Sequence, residues 1–173
     1  MPHSVLELID SAVAGRVLLF GSLPPGGRDL DVLARPPEWR AIAAVLEREG
    51  FVGRGGTWVR FRRCTAEAVD LVATREWALG PSELAALWAE ATPVGGARNV
   101  ARPSPRHLLL ILARQLVEGD GRLSATRRSR ISAALAEDPE AWYRARAAAG
   151  PWGASRALGL LRLAHEGRRR VPP

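Results

Sequence analysis

The first 77 residues combine helical and strand-like patterns of apolar positions. Apolar residues at helical spacing predict helices over residues 5–14 and 38–49. The first of these begins with a capping box, because Ser4 is followed three positions later by Glu7. Four short apolar or alternating runs are typical of strands: residues 17–20, 29–33, 57–63 and 67–73. The order α-β-β-α-β-β predicts a small mixed sheet with accompanying helices.

From residue 81 onward the pattern becomes helical, and we predict no further strands. Helices are expected over five stretches: residues 82–91, 105–119, 124–136, 139–150 and 154–166. Ser104 and Asp138 are the expected N-caps of two of them, since each precedes a proline at the first helical position. The Pro- and Gly-containing residues 92–102 are predicted to form a loop. We therefore predict an α+β fold, with a mixed-sheet head over residues 1–95 and an α-helical region over residues 96–173.

Composition places the chain among globular proteins. Its 173 residues are 47% hydrophobic and 25% charged, enough for one domain or a small domain with a helical annex. The longest apolar runs, residues 17–20 and 108–113, are too short to cross a bilayer, and no basic leader precedes an apolar core. The single cysteine, Cys64, cannot form an internal disulfide or a thiolate metal site. We expect a cytoplasmic protein without a membrane partner.

The net charge of +7 is concentrated in the second part of the chain. Residues 1–95 carry 10 Arg and 12 acidic residues, whereas residues 96–173 carry 15 Arg and 6 acidic residues. There is no Lys, which excludes the lysine chemistry of P-loops and Schiff bases. Two interpretations stay open: Arg-rich codon usage in a GC-rich genome, or an Arg-rich helical region that contacts RNA or an acidic protein partner.

The segment from residue 18 to residue 33 carries the candidate chemistry. A buried strand is followed by a Gly-Ser turn, a glycine-rich loop and a strand with two aspartates. On that strand Asp29 and Asp31 project from the same face, with Cα atoms about 7 Å apart. Two unpaired carboxylates so close repel each other, and a divalent cation between them relieves that repulsion. Oxygen ligands select Mg²⁺ or Mn²⁺ over Zn²⁺, and Asp70, in an apolar strand, would be a third ligand for a two-metal site.

Residues near these carboxylates are suited to binding phosphate. Gly21 permits close backbone approach, and the hydroxyl of Ser22 together with free N–H groups can hold phosphate oxygens. Arg28, beside the carboxylates, and Arg60 or Arg62, on the facing hairpin, are expected to neutralise a triphosphate.

The motif Phe20-Gly21-Ser22, followed by Asp-Leu-Asp-Val-Leu and later by Val-Asp-Leu-Val, resembles the DNA-polymerase-β-like nucleotidyltransferase superfamily, in particular its small members. The resemblance covers residues 5–77. It implies that Gly21 and Ser22 hold the triphosphate, that Asp29 and Asp31 bind the metals, and that Asp70 binds the catalytic metal and helps to deprotonate an acceptor hydroxyl. The expected activity is Mg²⁺-dependent transfer of a nucleoside monophosphate from an NTP, with ATP expected, to a small molecule, a protein or peptide, or an RNA end.

An alternative from another functional class stays open. Six residues separate Ser22 from Asp29, fewer than the family usually has, and Pro24 and Pro25 leave little room for a short helix there. The chain would then be a catalytically silent, nucleotidyltransferase-like binding module, antitoxin-like or nucleic-acid-binding. The enzyme hypothesis predicts Mg²⁺-dependent release of pyrophosphate, and the binding-module hypothesis predicts ligand binding without turnover.

Overall fold

The computed structural model describes residues 4–21, 29–62, 65–119 and 121–167. It has mixed α/β architecture, and the predicted α+β class is confirmed. The chain divides into two compact units. The sheet unit comprises the residues up to Ala78 and Trp88–Arg102, and the helical unit comprises Leu79–Leu87 and the residues from Pro103 onward.

The sheet unit contains a seven-stranded mixed sheet of order β3-β4-β5-β2-β1-β7-β6. Its elements are α1 (Val5–Ala12), β1 (Val17–Leu19), β2 (Asp29–Ala34), α2 (Pro36–Arg48), β3 (Val52–Arg54), β4 (Thr57–Arg62), β5 (Thr65–Ala73), β6 (Thr92–Pro93) and β7 (Val100–Arg102). A short 3-10 turn, Thr74–Trp77, follows β5, and α3 (Pro81–Ala89) spans the division between the units. Strand β2 is parallel to β5, and β1 is parallel to β7, whereas the other neighbouring pairs are antiparallel.

One face of this sheet packs against α1 and α2 and forms the core of the unit. Alternate residues of β2 and β5 supply it: Leu30 and Val32 from one strand, Val69 and Leu71 from the other. The helices contribute buried apolar residues that include Ile9, Ile42 and Leu46. Because side chains alternate across a strand, the residues between these core positions face the opposite side of the sheet. We call these two sides the core face and the opposite face.

Two predicted features of the second part of the chain are wrong. Residues 92–102 are not only a loop, because β6 and β7 lie in them, and β7 pairs with β1 beyond the predicted head boundary at residue 95. These strands are two and three residues long, too short to produce a periodic pattern. The predicted helix at 139–150 begins at Ala141, because the Asp138 carboxylate accepts the Glu140 N–H and shapes a turn there.

The helical unit is built around α4 (Pro105–Glu118), which packs against α5 (Ala125–Glu137), α6 (Ala141–Ala148) and α7 (Ser155–His165). Helix α4 is apolar around most of its circumference, as a central helix must be. His107 is buried in it: its Nδ1 lies 2.9 Å from the Ser104 hydroxyl, and its ring stacks on Trp152. This histidine therefore has a structural role.

Across the described parts of the chain, every helix falls short of the length and apolar character needed to span a membrane.

Asp10 fixes the end of α1 to the start of β7. Its carboxylate accepts N–H groups from three consecutive residues, Arg98 (3.1 Å), Asn99 (2.6 Å) and Val100 (3.1 Å). Burial alone would raise the pKa of Asp10, but these backbone hydrogen bonds to the ionised form outweigh it, so that the pKa lies below its usual value. Part of the attachment of β7 to the sheet unit is thus ionic and depends on pH.

We predict that Asp10→Asn lowers the free energy of unfolding at pH 7 by about 2 kcal/mol, because one charged acceptor is lost from three N–H groups. A lowered folded-state pKa contributes stability above the unfolded-state pKa, and this stability is lost as pH falls through the folded-state pKa. The difference between wild type and variant should therefore be constant above about pH 5 and shrink below about pH 4. Urea unfolding at several pH values measures it, with Glu47→Gln, on the exposed side of α2, as the control. A difference that does not change between pH 7 and pH 3 would contradict this role.

Candidate metal centre

The three aspartates nominated by the sequence converge on the opposite face of the sheet. Strands β2 and β5 pair in parallel, and the register places Asp31 directly beside Asp70. One carboxylate oxygen from each of Asp29, Asp31 and Asp70 lies within 4.8 Å of the other two, and none of the three residues is buried. The predicted convergence of these carboxylates on neighbouring strands is confirmed.

The apolar neighbours of the aspartates enforce this arrangement. Leu30 and Val32 enter the core, which turns Asp29 and Asp31 outward, and Val69 and Leu71 do the same for Asp70. Like charges this close repel each other. Among the described residues, no ion pair reaches Asp29 or Asp70. The candidate ligands are anionic carboxylate oxygens, which Mg²⁺ and Mn²⁺ prefer.

Gly21 lies directly against this cluster. The preceding residue, Phe20, donates its N–H to the carbonyl oxygen of Asp31 at 3.0 Å and continues the pairing of β1 with β2. A Cβ atom on Gly21 would overlap Oδ2 of Asp31 and approach its Cγ to 2.6 Å. Only glycine fits here with the Asp31 side chain in its present position.

Ser22 and Arg28, also nominated as phosphate ligands, lie outside the described residues, as does Cys64.

An aromatic pair stands beside the carboxylates. Phe20 is opposite Asp31 in the β1–β2 pairing, so it lies on the same face. Its ring contacts Trp77 edge to face, with centroids 5.0 Å apart. Phe20 is buried, and Trp77 follows the strand that carries Asp70. The carboxylates therefore have an apolar wall on the β1 side, which lowers the local dielectric constant near them.

The expectation that Arg60 or Arg62 neutralises a triphosphate at this site is wrong. Arg60 and Arg62 are two and four residues from Trp58, so they lie with it on the core face, whereas Asp70 lies on the opposite face. Arg60 is buried there, 7% exposed, and its Nε and Nη2 donate to Glu67 at 2.8 and 2.6 Å. Its guanidinium also lies over the Phe51 ring, 4.4 Å from the centroid. Arg60 is a structural cation that joins β4 and β5 to the end of α2.

A different arginine, Arg54, lies on the same face of the sheet as the aspartates, and it was not among the residues predicted from the sequence. Thr57 is paired with Asp70, and Arg54 is paired with Thr57, so both lie on the opposite face. The register of β3 against β4 follows from a turn at Gly55 and Gly56, both with positive φ. The alternation of Thr57 with the core-facing Trp58 was the available sequence signal.

The Arg-rich helical unit uses part of its charge internally. Arg128 donates to two carbonyl oxygens at the end of α7, at 2.6 and 3.2 Å. Arg144 forms ion pairs with the acidic residues of the turn at 138–140, and Arg162 pairs with Glu166 at 2.8 Å. The contacts of Arg128 and Arg162 stabilise the C-terminal end of α7, where unpaired carbonyl groups and the helix dipole favour cations. An RNA or protein partner for this unit stays a prediction.

Comparison of the chain with protein-family models, curated proteins and solved structures finds no significant match.

Proposed function

We propose that the chain is a Mg²⁺-dependent nucleotidyltransferase that moves a nucleoside monophosphate from an NTP, with ATP expected, to an acceptor hydroxyl. The observation that carries this proposal is the cluster of Asp29, Asp31 and Asp70, with one oxygen of each within 4.8 Å of the others. The order of these residues, after the Gly21-Ser22 dipeptide in the sequence and on adjacent strands, agrees with the resemblance drawn from the motif. We place the reaction in the cytoplasm, where Mg²⁺ and NTPs are abundant.

The carboxylates fit Mg²⁺ or Mn²⁺ because they are oxygen donors on rigid strands, and within the described part of the chain no ion pair is formed with Asp29 or Asp70. A divalent cation held there supplies charge stabilisation for a phosphate that changes its bonding. Residues of the chain itself position the substrates and accept the proton. Gly21 has no Cβ atom and so allows the Asp31 carboxylate to lie against the backbone after β1. Asp70, nearest to β4, takes the proton of the acceptor hydroxyl.

The reaction balances with no further reactant. The acceptor oxygen forms a bond to the α-phosphorus of the NTP, and the bond from that phosphorus to the bridging oxygen of pyrophosphate breaks. The hydroxyl proton passes to the Asp70 carboxylate and then to solvent. Catalysis of this kind depends on positioning and on charge neutralisation, which explains why a few carboxylates on rigid strands suffice.

The test is a thermal unfolding scan of the wild type with Mg²⁺ alone, with each NTP alone, and with both. A ligand at ten times its Kd contributes about 1.4 kcal/mol, which for a chain of this size raises Tm by about 3–6 °C. We expect this increase when Mg²⁺ and an NTP are both present, accompanied by release of pyrophosphate. No Mg²⁺-dependent increase with any NTP would overturn the enzyme, and an increase without pyrophosphate would favour the catalytically silent binding module.

A further inference from the structure

The opposite face of the sheet continues from the aspartates onto β4 and β3. The register aligns four residues in one row across four strands: Asp31 beside Asp70, Asp70 beside Thr57, and Thr57 beside Arg54. Neighbouring strands are about 4.8 Å apart, so the backbone of Arg54 lies about 10 Å from that of Asp70. Thr57 is therefore the cross-strand neighbour of Asp70, to which we assign the acceptor proton, and Arg54 lies one strand further on the same face.

Charge on this side of Asp70 is positive. Arg54 is exposed and makes no ion pair or hydrogen bond with the described residues. Neither β3 nor β4 contains an acidic residue. The Arg54 guanidinium can bind an anionic group of the acceptor. The acceptor should therefore carry a phosphate or carboxylate group near its reactive hydroxyl.

The same face of β3 and β4 is also apolar and accessible. Phe61 is 80% exposed and Val52 is 77% exposed, although both are large apolar residues in regular strands. Phe61 lies on this face because it alternates with the core-facing Arg60. Exposed aromatic rings on a sheet, combined with arginine, are the arrangement that binds unpaired nucleobases and their phosphates.

We infer that the acceptor is the 3′ end of a single-stranded nucleic acid, lying across β5, β4 and β3. The inference rests on the proposed function. Its terminal 3′-hydroxyl lies at Asp70, a backbone phosphate lies at Arg54, and a base stacks on Phe61. Phe61 is four residues from Thr57, about 13 Å along the strand, so that base belongs to a nucleotide upstream of the terminal one. The product is the strand lengthened by one nucleotide, together with pyrophosphate.

Binding can be tested separately from catalysis. A 5′-fluorescein-labelled 12-nucleotide oligo(A) RNA is titrated with protein in the absence of NTP and Mg²⁺, with fluorescence anisotropy as the readout. We expect Arg54→Glu to weaken binding at least tenfold and Phe61→Ala about tenfold. Arg62→Glu is the matched control, since it reverses the same charge on the same hairpin but on the core face, and it should change Kd less than twofold. Equal losses for Arg54→Glu and Arg62→Glu would show binding by net charge alone and overturn the inference.

Catalysis is tested with the same RNA, ATP and Mg²⁺ on a sequencing gel. We expect extension by the wild type, no extension of an RNA that ends in a 3′-deoxynucleotide, and slower extension by Arg54→Gln. Pyrophosphate release without extension of the RNA, or with transfer to a protein instead, overturns the acceptor and leaves the nucleotidyltransferase intact. No Mg²⁺-dependent effect of any NTP overturns both proposals, because the acceptor argument starts from Asp70 as the proton acceptor.

Discussion

Replacing Asp31 by asparagine should abolish the stabilisation by Mg²⁺ and NTP and reduce turnover at least ~10²-fold, the scale of losing a major electrostatic stabiliser. Asp31 adjoins both other carboxylates, Asp29 along the strand and Asp70 across it, so it is the ligand that two cations would share. Its substitution removes one negative charge from the centre of the cluster and keeps the shape of the side chain.

The fold should tolerate this change. In the absence of metal, Asp31→Asn removes repulsion between carboxylates, and we expect an unchanged or higher Tm. Thermal scans of wild type and variant, each with and without Mg²⁺ and ATP, measure both effects. Glu47→Gln removes the same charge at an exposed position of α2 outside the cluster, and it should retain the Mg²⁺–ATP effect. A variant that keeps both this effect and turnover would contradict the metal centre.

Gly21→Ala should have the second large effect, on stability and activity together. The new methyl group overlaps the Asp31 carboxylate, and overpacking of this kind costs about 1–3 kcal/mol. The strand could relieve the overlap by rotating the Asp31 side chain, which would remove it from Asp29 and Asp70. We therefore expect the Mg²⁺–ATP stabilisation to be lost in Gly21→Ala although every carboxylate is still present.

A double-mutant cycle separates this contact from a general effect of alanine. In an Asp31→Gly background the overlapping atoms are absent, so Gly21→Ala should cost at least about 1 kcal/mol less than in the wild type. Gly159→Ala is the matched control, since nothing lies within 4 Å of its added Cβ in α7. It should be neutral or stabilise the chain by up to about 1 kcal/mol. Additive losses for Gly21→Ala and Asp31→Gly would exclude the proposed contact.

The parts of the site that follow from local alternation were predictable, and those that follow from register were not. Asp31 and Asp70 each stand between apolar residues, so their orientation is fixed within their own strands. Arg60 is two residues from Trp58 and so lies on the same face, but the sequence does not show that this is the core face. Its pairing with Glu67 depends on the register of β4 against β5, which the sequence does not specify. The position of Arg54 on the face of Asp70 depends on a further register, that of β3 against β4, which is set by the turn at Gly55 and Gly56.

Strands defined by tertiary contacts also escaped sequence analysis. Strand β7 has three residues and no periodicity of its own, and it is positioned by pairing with β1 and by the Asp10 carboxylate. Such a strand exists because its neighbours offer hydrogen-bond partners, and intrinsic propensity contributes little. The helices at 105–119 and 124–136 were predicted within two residues at either end, because proline and serine caps mark their N-termini locally.

The two edges of the sheet differ in their capacity to recruit another strand. At one edge, β6 has two residues, and Pro93 lacks the N–H group that a further strand would need. At the other edge, β3 has three residues, including Gly53, and ends in the charged Arg54. Short edges with proline or a charged side chain resist edge-to-edge association of exposed sheets. The chain can therefore display an accessible apolar sheet face, with Phe61 and Val52, while both of its edges discourage the growth of β-aggregates.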